Sequence, residues 1–118
     1  MNKIIQKIMV ATFGVALTSG VYAADMGRIT ILSPKNDAIV NARSVVKLSY
    51  KVALGPEGNH LHVYVDDQKP IVDRNVSGCP CTVDLPALSP GMHVVVVKEA
   101  RADHSLTGVE ASTIVTAK

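Results

Sequence analysis

Apolar and polar residues alternate with a period of two through most of the chain beyond Ala24. Val46, Leu48, Tyr50 and Val52 are apolar, and Lys47, Ser49 and Lys51 between them are polar. That period places the two sets on opposite faces of a strand over Val45–Val52. The same rule predicts a strand over His60–Val65, with Leu61, Val63 and Val65 on the apolar face and His60, His62 and Tyr64 sharing the other. The run Val94–Val97 is unbroken. If His93, Val95 and Val97 point inward along a strand Met92–Glu99, Val94 and Val96 lie outside, beside His62 and Tyr64, and form an apolar stripe suited to an interface. Further β-branched runs predict strands at Arg28–Leu32 (with Ala38–Val40 as a short continuation), Lys69–Val72, Thr82–Leu85 and Val109–Ala117. Turn residues punctuate these runs at Ser33-Pro34, Gly55-Pro56, Asp66-Asp67, Ser77-Gly78, Ser89-Pro90-Gly91 and Thr107-Gly108. Short strands so spaced, without a helical period or an internal repeat, predict an all-β, antiparallel, two-sheet sandwich or barrel of about seven strands.

The first 23 residues follow a different pattern. Lys3 and Lys7 precede an apolar run, Ile8–Leu17, and Thr18, Ser19 and Gly20 break it before Val21-Tyr22-Ala23. This is the pattern of a signal peptide, residues 1–23, cleaved before Ala24. The apolar run is about half the roughly 20 residues a spanning helix needs. No membrane span is expected in the mature chain, and no Cys stands at the cleavage point to take a lipid. Residues 24–118 then form one exported Ig-like domain, periplasmic or secreted.

The chain has 118 residues, 47% hydrophobic and 3% aromatic, which allows a single domain. The formal charge of +2 resides in Lys3 and Lys7, so the mature chain is neutral. Neutrality argues against nucleic acid as a partner. With Tyr50 and Tyr64 as the mature chain's aromatics, its core must be built from Val, Ile and Leu.

Three segments carry a resemblance: Ser33-Pro34-Lys35-Asn36-Asp37-Ala38, Asn59-His60-Leu61-His62-Val63-Tyr64-Val65-Asp66 and Leu88-Ser89-Pro90-Gly91-Met92-His93. Together they resemble small exported bacterial Ig-like or fibronectin type III-like modules, and are most similar to a His-bearing subset of unknown function. The resemblance implies a β-sandwich with a non-enzymatic role. His93 stands where such sandwiches carry the Tyr of a tyrosine corner, which implies a packed or hydrogen-bonded corner residue.

Strand directions in such a sandwich bring three connections to one end. That end collects His60 and His62, Cys79-Pro80-Cys81, and the Asp103-His104 turn, while His93 falls at the other. Two His at i and i+2 on a strand lie about 6.6 Å apart on one face and chelate one ion when a loop His joins them. The candidate metal ligands are therefore His60, His62, His104, Cys79 and Cys81. Thiolates suit copper(I) or zinc, copper before zinc. Glu99 and Asp103 are candidate supporting groups, and Met26 is within reach of the site. Histidines on a solvated sheet face are also ordinary surface residues, so the metal reading stands beside that plainer one.

The cysteines have three readings: a Cys79–Cys81 disulfide favoured by an oxidising compartment, metal ligation, or pairing with another protein. A disulfide across Pro80 closes a very small ring, so it adds little entropic stability and invites a redox role. The spacing is one residue short of Cys-x-x-Cys, and no catalytic signature is present. Asn75-Val76-Ser77 fits a glycosylation sequon that matters only in a eukaryotic secretory route. The expected function is an exported periplasmic binding module holding copper or zinc. The alternative is a structural or adhesive module that contacts another envelope protein through Tyr64, Val94 and Val96.

Overall fold

Eight strands form, all from the β-branched and alternating segments. The computed structural model describes residues 26–118, so the expected signal peptide lies outside the described residues. The strands are β1 (Arg28–Ser33), β2 (Ala38–Val40), β3 (Val46–Ala53), β4 (His60–Val65), β5 (Ile71–Asp73), β6 (Cys81–Leu85), β7 (Gly91–Ala100) and β8 (Leu106–Ala117). A three-stranded sheet of order β1-β3-β6 packs against a five-stranded sheet of order β2-β8-β7-β4-β5. Adjacent strands are antiparallel except β2, which runs parallel to β8.

The inward face of each strand is the apolar set its alternation marks. Leu48 and Tyr50 of β3, Leu61 and Val63 of β4, Val95 and Val97 of β7 and Val115 of β8 are fully buried and form one cluster. Each such side chain contributes about 1.5–3 kcal/mol by leaving water. Tyr50 also ties the sheets together. Its hydroxyl bonds the Asp73 carboxylate at the end of β5, in the opposite sheet. Burial first, and then the bond and charge of Asp73, push the Tyr50 phenol far above its ordinary range.

Three expectations need correction. Ala38–Val40 does not continue β1; it crosses to the other sheet and pairs with Val115–Ala117. Pro34 has no N–H to extend the β1–β3 ladder, and polar groups anchor the crossing segment to β8. Asn36 Oδ1 accepts the Ile114 N–H at 2.9 Å, Asp37 N–H donates to the Ile114 carbonyl at 2.7 Å, and Thr113 donates to the Pro34 carbonyl at 3.1 Å. The strand expected at Lys69–Val72 is instead Ile71–Asp73, because Pro70 cannot donate to a ladder and the pairing begins after it. The His-bearing face of β4 is not solvated at its start: His60 is 0% and His62 5% exposed, so this part of β4 is covered on both sides.

Candidate metal centre

The β4–β7 pairing sets His60 opposite Ala100 and His62 opposite Lys98. Both imidazoles thus stand on the outer face of the five-stranded sheet, near the end of β7. The chain leaves β7 in a tight turn, where Arg101 N–H bonds the Ser105 carbonyl and His104 N–H bonds the Arg101 carbonyl. Asp103 Oδ1 accepts from both the Ser105 N–H and its hydroxyl. His104 takes the left-handed conformation, φ 73°, which is costly for a residue with a Cβ. That conformation lays its ring over the two buried imidazoles, with centroids 4.7 Å from His60 and 5.4 Å from His62.

The three rings present one nitrogen each to a common centre. His60 Nε2 and His62 Nε2 are 3.1 Å apart, and His104 Nδ1 is 3.2 Å from each. The outer nitrogens have other partners. His60 donates Nδ1–H to Asn59 Oδ1 at 2.9 Å, and His62 Nδ1 meets the Tyr64 hydroxyl at 3.2 Å. A ring that donates through Nδ1 keeps a lone pair on Nε2, the arrangement by which ligating histidines are oriented. Burial first, with a smaller contribution from the Arg74 charge, holds both His60 and His62 below the ordinary imidazole range. Both rings are therefore neutral at neutral pH.

The separations of the three nitrogens are those that could hold one ion. A triangle of 3.1–3.2 Å edge has corners about 1.8 Å from its middle. An ion held by all three at the usual 2.0–2.1 Å would have angles of about 100° between ligands. Tetrahedral coordination with one open position meets that requirement.

Among the described residues, the group able to hold an ion is His60, His62 and His104 alone. Cys79 and Cys81 do not join it. They are disulfide-bonded to each other and offer no thiolate, and Cys81 pairs with Tyr50 in the three-stranded sheet. Glu99 faces the inner side, where it accepts from Gly55 N–H at 2.8 Å and Thr107 Oγ1 at 2.6 Å. A Cβ at Gly58 would lie 2.5 Å from its carboxylate, so this glycine makes room for a buried acid that ties the β3–β4 loop to the start of β8. Asp103 is spent on Ser105. Met26 is 62% exposed in a shallow cleft with Pro56, Glu57, Arg101, Thr107 and Val109. Of the expected interface residues, Val94 is 40% exposed, while Tyr64 and Val96 are half-buried. Two participants were missed in the sequence. Lys98 lies 5.2 Å over the Tyr64 ring, and Arg74 follows β5. Their signal was the register of β4 with its neighbours, which the misplaced fourth strand obscured.

At the opposite end, Ser89, His93 and Asp66 form an array that looks like a hydrolytic triad. His93 Nδ1 bonds Asp66 Oδ2, and Ser89 Oγ is 3.5 Å from Nε2. However, Nε2 donates to the Ser89 carbonyl at 2.7 Å, so it has no lone pair with which to accept the hydroxyl proton. The array is a hydrogen-bonded corner.

No family model and no curated protein matches the chain. Among solved structures it is similar to the fibronectin(III)-like modules of Clostridium thermocellum CbhA, at a TM-score of 0.60 and 18% identity, over 76% of this chain and 96% of that one. The chain is a fibronectin III-like β-sandwich. No helix among the described residues is long and apolar enough to cross a membrane.

Proposed function

We propose that the protein is an exported binding module that holds one late first-row transition-metal ion between His60, His62 and His104. The observation that carries this reading is the triangle of ring nitrogens at 3.1–3.2 Å, two of them buried and oriented by outer hydrogen bonds. Nitrogen sites bind copper(II) more tightly than zinc, so copper stands first, now on imidazole affinity rather than thiolate softness. Export to the periplasm is supported by the leader-like pattern of residues 1–23 and by the Cys79–Cys81 disulfide. The role is binding rather than catalysis, in keeping with the engaged Nε2 of His93. Copper(II) titrated into the purified protein binds at one equivalent, and the His60→Ala/His62→Ala variant loses that equivalent. Unchanged stoichiometry and affinity in the variant would refute the assignment.

A second reading rests on a different observation. Val72 and Val94 are 43% and 40% exposed, and with half-buried Tyr64, Val96 and Ile114 they form an apolar strip across the outer face of the five-stranded sheet. Such a strip supports a structural or adhesive module that contacts another envelope protein. It predicts association that Val96→Lys or Tyr64→Glu weakens, read by sedimentation against concentration.

A further inference from the structure

The Cys79–Cys81 disulfide takes no part in the imidazole centre. Its cysteines are 2 positions apart in sequence, so closing the bond removes little freedom from the unfolded chain. Stability and reducibility are joined by one thermodynamic cycle. Whatever free energy a disulfide adds to the fold is the free energy by which the fold resists its reduction. Disulfides that close long loops are protected in this way. One that adds little to the fold is left open to thiols.

The two sulfurs differ in access. Cys81 begins β6, the outer strand of the three-stranded sheet, and is 7% exposed. Cys79 is half-buried in the loop before it, between exposed Gly78 and Pro80. A Cβ at Gly78 would meet no atom within 4 Å, so that flank of the loop is open to an incoming group. Each sulfur also faces a backbone carbonyl. Cys81 Sγ is 3.3 Å from the Asn75 oxygen, and Cys79 Sγ is 3.8 Å from the Val76 oxygen. A disulfide sulfur has no proton to give these oxygens, whereas a thiol does. The loop therefore already holds an acceptor for each S–H that reduction creates.

We propose that Cys79–Cys81 is a thiol–disulfide exchange site that accepts an electron pair from a dithiol, independently of any metal. One thiolate of the dithiol attacks the accessible Cys79 Sγ. The Cys79–Cys81 bond breaks, its electron pair leaves on Cys81 Sγ, and Cys81 takes a proton and bonds the Asn75 carbonyl. The second thiolate of the dithiol then attacks the dithiol's own sulfur in the mixed disulfide. Cys79 is expelled and protonated beside the Val76 carbonyl. One dithiol has become a disulfide and one protein disulfide has become two thiols, a balanced transfer of two electrons and two protons that needs no other oxidant.

The test equilibrates the purified protein with glutathione at a series of redox ratios, without oxygen and with a chelator present. It is run on native protein and on protein unfolded in urea, and thiols are trapped with iodoacetamide and counted by mass. The two reduction equilibria agree within about tenfold, because the fold adds little to the bond. Dithiothreitol reduces the native protein with one equivalent, giving two thiols. Early quenching of the glutathione reaction finds glutathione on Cys79 and the alkyl group on Cys81. The His60→Ala/His62→Ala variant gives the parent equilibrium. A native disulfide more than about tenfold harder to reduce than the unfolded one overturns the proposal and makes the bond a structural one. Glutathione found on Cys81 in place of Cys79 overturns the assignment of the attacked sulfur.

Discussion

The four histidines of this chain divide by the partners their rings meet. His93 has an acceptor at each nitrogen, the Asp66 carboxylate at Nδ1 and the Ser89 carbonyl at Nε2. Two acceptors need two N–H groups, so the ring is an imidazolium. The Asp66 bond first, and then the Ser89 bond, raise its pKa against the opposing effect of burial. For Asp66, burial alone would raise the pKa, but the bonds from His93 and the Val94 N–H outweigh it and hold the carboxyl low. The signs follow. His93 contributes stability that is full below its unfolded pKa of about 6.5 and is lost as pH rises through the folded value. Asp66 contributes above its unfolded value of about 3.9, and that part is lost as pH falls through the folded one. His93→Gln should therefore cost about 1 kcal/mol at pH 5.5, the figure kept small because Asp66 is partly solvated, and clearly less at pH 9. Thermal melts of both proteins at the two pH values check this; a pH-independent gap would mean the corner works with a neutral ring. Tyr50 makes a comparable case in the core. Tyr50→Phe removes the bond to Asp73 and should cost about 1–3 kcal/mol, read by urea unfolding.

At the scale of elements, the β7–β8 turn is where stability and binding oppose each other. His104 sits at φ 73°, a conformation glycine takes without strain. His104→Gly should raise stability by up to about 1 kcal/mol while weakening copper binding to what the His60–His62 pair alone supplies. Loss of both together would show that the turn relies on the imidazole for its shape. The short hairpin-like loop between Cys79 and Cys81 behaves differently. Its ring is too small to constrain the unfolded chain much, so Cys79→Ala/Cys81→Ala should move Tm little and leave copper stoichiometry intact. Convergence of His60, His62 and His104 was legible because strand directions alternate along the chain, so loops far apart in sequence share an end. Burial of His60 and His62 was not, since alternation marks which side a residue faces and not what folds back over it. The sheet switch at Ala38–Val40 was equally hidden. It depends on Asn36 and Asp37 reaching β8, a contact that no local pattern encodes.

For the whole molecule, the three imidazoles come together only through the fold. His104 is 44 residues beyond His60 in the chain, and the strand and turn that carry them meet in the folded sheet. An ion that binds the native chain and not the unfolded one stabilises by mass action, about 2.7 kcal/mol when free copper(II) is a hundredfold above Kd. For a domain of this size that shifts Tm upward by roughly 10–20 °C, and a chelator should reverse it. The unfolded chain still holds His60 and His62 two residues apart, and that pair retains some affinity. His104→Ala separates the two contributions. It leaves the local pair in both states, so weak copper binding persists while most of the Tm shift vanishes. His60→Ala/His62→Ala should lose both the binding and the shift. An undiminished Tm shift in His104→Ala would place the stabilising ion away from the turn, and the three-imidazole centre would no longer account for it.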